Sequence, residues 1–111
     1  MKDDKLYLIH MIECIQRVEK YTSGGRDTFL NSELIQDAVI RNLQVMAESS
    51  QRISEDLQSR YSNVAWFKIA GFRNVLVHDY LGVDLDKVWA IIERDLPPLK
   101  SSISLILKEL G

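Results

Sequence analysis

The chain has 111 residues, of which 46% are hydrophobic and 27% charged, and its formal net charge is -2. That length supports one domain, residues 1–111, with one core. The near-neutral balance excludes a protein that grips nucleic acid along its whole surface, which would be basic, so any RNA contact must be local or built by assembly.

The opening Met1-Lys2-Asp3-Asp4-Lys5 is too acidic for a secretory signal and lacks its apolar run. No stretch approaches the ~20 apolar residues of a membrane span. A cytoplasmic location is therefore expected. The single cysteine, Cys14, allows no internal disulfide and no CxxC metal spacing, and its apolar surroundings predict a core position.

Apolar residues recur at steps of three and four almost throughout, and strand alternation is missing. Leu8, Ile12 and Ile15 form one stripe, with Tyr7, Met11, Cys14, Val18 and Tyr21 beside it. Together they predict a first helix from about Asp3 to Tyr21, stopped by Ser23-Gly24-Gly25. These glycines follow a helix instead of opening one, so they cap it and do not cradle a phosphate. Arg26 to Leu30 is expected to be a loop. A second helix starts at Asn31 or Ser32, both good N-caps, and places Val39, Leu43, Met46 and Ile53 on one side. The polar stretch from Ser54 to Ser62 is expected to break it.

Asn63 can cap a third helix that carries Val64, Trp66, Phe67, Ile69, Ala70 and Phe72, continues through Arg73-Asn74-Val75-Leu76-Val77-His78-Asp79-Tyr80, and ends at Gly82. Asp84 caps a fourth. Its stripe of Leu85, Val88, Ile92, Leu96, Leu99, Ile103, Ile106 and Leu110 keeps its phase across Pro97-Pro98, where a kink or a break into two helices is expected. The predicted architecture is all-α, an antiparallel bundle of four to five helices.

The run from Arg73 to Tyr80 carries the chemistry. On one continuous helix, Arg73 and Tyr80 would share a meridian, and Asn74 and His78 would stack four residues apart. Arg73 offers paired donors to phosphate oxygens and a permanent charge for the extra negative charge of a phosphorane. A histidine such as His78, with an ordinary pKa of about 6.5, can exchange protons in the cell. RNA supplies its own nucleophile, the 2′-hydroxyl, so cleavage needs no metal and leaves a 2′,3′-cyclic phosphate. One histidine does not serve as base and acid at once. A two-fold homodimer would supply two His and two Arg. Taken bare, an Arg-x4-His spacing fits a capping or surface histidine and an ordinary salt-bridge arginine as well.

With Arg73, His78 and Tyr80 the full pattern is R-x4-H-x-Y, which resembles the signature of HepT-like toxins of the HEPN superfamily. Gln36-Asp37-Ala38-Val39-Ile40-Arg41-Asn42-Leu43-Gln44-Val45-Met46 resembles that family's second-helix consensus. Val64-Ala65-Trp66, Leu81-Gly82-Val83-Asp84, Val88-Trp89 and Leu96-Pro97 are similar too, so the likeness covers nearly the whole chain. The resemblance implies the HEPN fold, a homodimer with the motif in a cleft between subunits, and a metal-independent endoribonuclease acting as the toxin of a toxin–antitoxin system. It also implies an MntA-like minimal nucleotidyltransferase as antitoxin, which uses ATP to place AMP on Tyr80. On the helical meridian shared with Arg73, that AMP would occupy the phosphate site. Arg73 and His78 are then catalytic, Asn74 supports them by positioning, Tyr80 is the modified residue, and no metal or cofactor is needed. The substrate is RNA, with tRNA and mRNA as candidates. Two departures, Ala47 for a common glycine and Asn63 where a proline often precedes the tryptophan segment, concern packing.

The alternative function is a noncatalytic helical module that binds a nucleotidyltransferase partner or a nucleotide. His10 is expected to be structural or at the surface, and Tyr7, Tyr21, Tyr61, Trp66 and Trp89 to be core or boundary aromatics. Arg41 and Glu48 either pair across a dimer or stay solvated.

Overall fold

A computed structural model describes residues 3–77 and 82–111. Among these residues the chain is all-helical, with no strand. Helix α1 (Asp4–Tyr21) is followed by a short α2 (Arg26–Leu30), α3 (Glu33–Gln51), a short α4 (Glu55–Arg60), α5 (Trp66–Leu76), α6 (Leu85–Ala90) and α7 (Leu96–Leu110). The α6–α7 run is continuous through a π turn at Ile91–Asp95. Four long helical runs form the bundle and α2 and α4 bridge between them.

Contacts between helix ends give the directions. The Asp4 carboxylate, at the start of α1, accepts from the Ser54 backbone N–H at 2.8 Å and from Ser54 Oγ at 2.6 Å, just past the end of α3. Lys5 Nζ donates to the Gly111 carbonyl, and Lys100 pairs with Glu19 at 2.8 Å. Helix α1 is therefore antiparallel to both α3 and α7. The core between them is one cluster that buries Leu8, Met11, Ile15 and Val18 from α1, Val39, Leu43 and Met46 from α3, and Ile103 and Ile106 from α7. Cys14 belongs to it, and burial pushes its thiol pKa up.

Several boundaries differ from the sequence expectation, each for a local reason. Arg26 to Leu30 is a one-turn helix instead of a loop. Gly25 enters it at φ 93°, a conformation open to glycine. The Gln36 side-chain amide then donates to the Phe29 and Leu30 carbonyls at its end. Its fully buried Phe29 packs against Trp89 at 5.5 Å between ring centroids. Ser32 does cap α3, accepting from the Ile35 N–H. The polar stretch after it contains α4, because Ser54 accepts from the Leu57 N–H and Leu57 is buried. Asn63 caps nothing: α5 begins after Ala65, with the Trp66 indole N–H donating to the Tyr61 carbonyl at 3.1 Å.

The double proline neither breaks nor ends the last helix. Pro97 and Pro98 have no N–H to give the carbonyls one turn back. The helix widens there, and the Leu96 N–H donates to the Ile91 carbonyl five residues earlier. The buried positions run Val88, Ile91, Leu96, Leu99, Ile103 and Ile106. The five-residue step across the π turn keeps the stripe on the core, with Ile91 buried in place of the expected Ile92. No helix among the described residues is long and apolar enough to cross a membrane.

Candidate active site

Helix α5 fixes the arginine of the motif. Its inner face carries Ile69, Phe72 and Leu76, all at or below 5% exposure, and packs against α3. Arg73 follows Phe72 and so projects from the flank of this face at ~100° of rotation. It is exposed, and its Nη1 donates to Gln51 Oε1 at 3.5 Å, the outer limit of a hydrogen bond. Asn74 is exposed beside it. Arg73 also sits in the last turn of α5, where a cation complements the helix dipole. Its guanidinium makes no ion pair among the described residues.

The helix does not continue to Gly82. It stops at Leu76, and Val77 turns to an extended backbone at φ -74° and ψ 131° while its N–H closes the last turn on the Arg73 carbonyl. Val75 and Val77 are β-branched and lower the local helix propensity. The meridians expected for an unbroken helix, Arg73 with Tyr80 and Asn74 with His78, rest on residues beyond this helix end. His78 and Tyr80 themselves lie outside the described residues. After them Gly82 adopts φ 89°, and the Asp84 carboxylate accepts from the Asp86 and Lys87 N–H groups to start α6. The structure thus brings Arg73 and Asn74 together at one helix end, and Gln51 joins them. No sequence signal pointed to Gln51, which comes from α3, 22 residues earlier.

Several other titratable groups are engaged in the scaffold. Tyr61 donates to Glu109 at 2.6 Å, which raises its pKa. His10 is half-buried, edge-on to Tyr7. Lys68 pairs with Asp95 at 2.8 Å beside a cavity of about 190 Å³ whose lining includes Phe72 but not Arg73. Arg41 and Glu48 are exposed on α3.

An arginine held exposed and without a carboxylate partner among the described residues, at the end of a helix anchored by its other face, is a ready anion site. Comparison with known proteins places it in a family. A model of the ribonuclease HepT-like family matches residues 11–106, which include Arg73, Asn74, His78 and Tyr80. The chain belongs to the ribonuclease HepT-like family. It is 32% identical, over 95% of its length and 97% of the relative's, to a protein of Methanocaldococcus jannaschii provisionally named an RNase. It is also 32% identical to a protein of Thermococcus cleftensis provisionally named ribonuclease HepT, over 96% and 98% of the two chains. A second M. jannaschii protein, whose name joins a gamma-glutamylcyclotransferase to a provisional RNase, is 36% identical over 98% of this chain. This HepT-like chain spans only 50% of that longer relative. No solved structure matches the chain significantly.

Proposed function

We propose that this HepT-like chain is a metal-independent endoribonuclease, the toxin of a toxin–antitoxin pair, acting as a homodimer. The observation that carries this reading is the family match running through the motif, with Arg73 exposed and, among the described residues, free of a carboxylate partner. Arg73 binds the scissile phosphate and stabilises the added negative charge as the phosphorane forms. His78 of one subunit takes the proton of the ribose 2′-hydroxyl. The 2′-oxygen bonds to phosphorus, the P–O5′ bond breaks, and His78 of the other subunit protonates the leaving 5′-oxygen. The products are a 2′,3′-cyclic phosphate and a 5′-hydroxyl. Asn74, next to Arg73 on the last turn of α5, positions the phosphate.

In the same proposal Tyr80 is the off-switch. An MntA-like nucleotidyltransferase directs the Tyr80 phenol oxygen onto the α-phosphate of ATP. AMP is transferred, pyrophosphate leaves, and the phenolic proton is lost. The attached phosphate adds negative charge within seven residues of Arg73 and opposes RNA binding.

The purified chain is expected to cut RNA in the presence of EDTA, leaving cyclic phosphate ends, and His78→Ala is expected to lose that cleavage. Undiminished cleavage by His78→Ala overturns the ribonuclease mechanism. Incubation with the nucleotidyltransferase and ATP should add the mass of AMP to the Tyr80 peptide. A mass gain that persists in Tyr80→Phe removes Tyr80 from this role.

A further inference from the structure

Gln51, the last residue of α3, reaches Arg73 from another helix. Its Oε1 accepts from Arg73 Nη1 at 3.5 Å, and both side chains are exposed. A bond so long and open to water does not hold the guanidinium in place. It does bring the rest of the glutamine amide to the arginine. Gln51 Nε2 carries two N–H donors, and neither has a hydrogen-bond partner among the described residues. The carbonyl and the amide nitrogen share one carbon, so Nε2 lies within roughly 6 Å of Arg73 Nη1. Two N–H···O bonds of about 2.9 Å, made to two oxygens of one phosphate, span that distance.

We propose that Gln51 is a further substrate-binding residue, whose Nε2 donates to a non-bridging oxygen of the same RNA phosphate that Arg73 binds. The proposal rests on the ribonuclease reading and extends its phosphate site from one helix to two. Arg73 supplies the charge and Gln51 a neutral donor from α3. No bond is made or broken at Gln51. Its N–H groups strengthen their hold as the phosphorus gains a fifth oxygen and the non-bridging oxygens gain charge.

The electrostatics of the place favour a neutral donor. Helix α3 ends at Gln51 and α5 at Leu76, so two negative helix ends lie near the arginine. They favour the guanidinium but oppose a phosphate, which therefore gains from donors beyond Arg73. A glutamate at position 51 would have the same reach and would pair with Arg73, taking the donors that a phosphate needs. Glutamine keeps the reach, removes the charge and turns one acceptor into two donors. Glu48, one turn earlier on α3, is exposed and makes no ion pair with Arg73 among the described residues. The carboxylate on this end of α3 is thus set back from the arginine, and the amide stands next to it.

The test uses the full chain in two assays: single-turnover cleavage of RNA, and binding of the same RNA made uncleavable by 2′-O-methyl groups. Gln51→Ala is expected to slow cleavage about 10–100-fold, the range of a hydrogen bond to a charged group, with an unchanged urea midpoint. The factor should be the same on RNAs of unrelated sequence, because a phosphate contact reads no base. Gln51→Glu should cleave more slowly still while staying folded. In an Arg73→Ala background, Gln51→Ala should weaken binding of the uncleavable RNA further, since the amide touches the phosphate itself. Cleavage by Gln51→Ala within threefold of wild type overturns the proposal, as does a Gln51→Glu protein as active as wild type. A loss that varies with RNA sequence makes Gln51 a base reader, and no further loss in the Arg73→Ala background makes it only a prop for the arginine; either result overturns it too. If the wild type binds the uncleavable RNA through Gln51 yet cuts no RNA, the phosphate site stands and the ribonuclease reading falls. If the wild type cuts RNA through His78 and Gln51→Ala cuts it equally well, only the role of Gln51 falls.

Discussion

On the proposed mechanism, replacing Arg73 separates function from folding. In Arg73→Ala the structural losses are small. The contact to Gln51 is 3.5 Å long between exposed groups, and such a bond contributes little. The helix-terminal cation is lost at a cost of ~0.3–1 kcal/mol, and alanine's better helix propensity returns a few tenths. The net effect on stability is expected to lie within about 0.5 kcal/mol, as for a surface position. On the proposed mechanism the catalytic loss is expected to be far larger. Removing one donor that stabilises a developing oxyanion lowers kcat by about 10²–10³-fold. Arg73→Lys keeps the charge but not the paired donors and should fall between the two. The assay is a single-turnover cleavage rate on a defined RNA, paired with a urea melt of the same preparation. An Arg73→Ala protein that cleaves within threefold of wild type refutes the assignment. One that loses activity in proportion to a loss of stability of several kcal/mol refutes the structural argument.

Two further outcomes test the scaffold. Asp4 is buried, and that burial by itself would raise its pKa, but the hydrogen bonds it accepts, those from Ser54 foremost, outweigh it and hold the carboxyl below its ordinary 3.8. A depressed folded pKa gives stability that is present above the unfolded value and is lost as pH falls through the folded one. Asp4→Asn should therefore cost about 1.5–3 kcal/mol in urea melts at pH 7 and progressively less below pH 3.8, and an equal cost at both ends would show that the charge is not what matters. Phe29→Ala should cost about 3–5 kcal/mol, read from the denaturation midpoint by tryptophan fluorescence, since Phe29 is fully buried against Trp89; a cost below 1 kcal/mol would place α2 outside the cooperative core.

The long helices were legible because their apolar residues repeat at helical spacing and their caps are local. Ser32 and Asp84 each satisfy N–H groups two or three residues ahead, a relation visible in the sequence. The elements that escaped are held by contacts from far along the chain. Helix α2 depends on Gln36 at its end and on Trp89 against Phe29, and the junction before α4 depends on Asp4, 50 residues away. The π turn was hidden for a different reason. The stripe fits Ile92 at steps of four, and the five-residue step of the π turn ahead of the prolines shifts the burial to Ile91. In the site, the sequence singled out the run from Arg73 to Tyr80, and its described part, Arg73 and Asn74, lies side by side at the end of α5. Helical periodicity extended α5 too far because Val77 satisfies the apolar pattern while its backbone leaves the helix.

That helix end clarifies how α5 divides its labour. Eleven residues are too few for a stable helix in water, so α5 exists because its inner face is buried. Burying Ile69, Phe72 and Leu76 contributes roughly 5–9 kcal/mol at ~1.5–3 kcal/mol each, an upper bound because the unfolded chain is itself partly collapsed. Against this, Gly71 costs only ~1 kcal/mol relative to alanine, a small fraction of the total. The three inner residues therefore carry the helix, helped by the Lys68–Asp95 pair and the Trp66 indole bond to Tyr61, and the outward residues are released from that duty. Arg73 on the flank and Phe67, Gly71 and Asn74 on the outward face occupy that released surface. Because the buried residues alternate with them along the same turns, Arg73 and Asn74 are held rigidly with respect to the core, so the direction of the guanidinium is set by Phe72 and Leu76 and not by Arg73's own contacts.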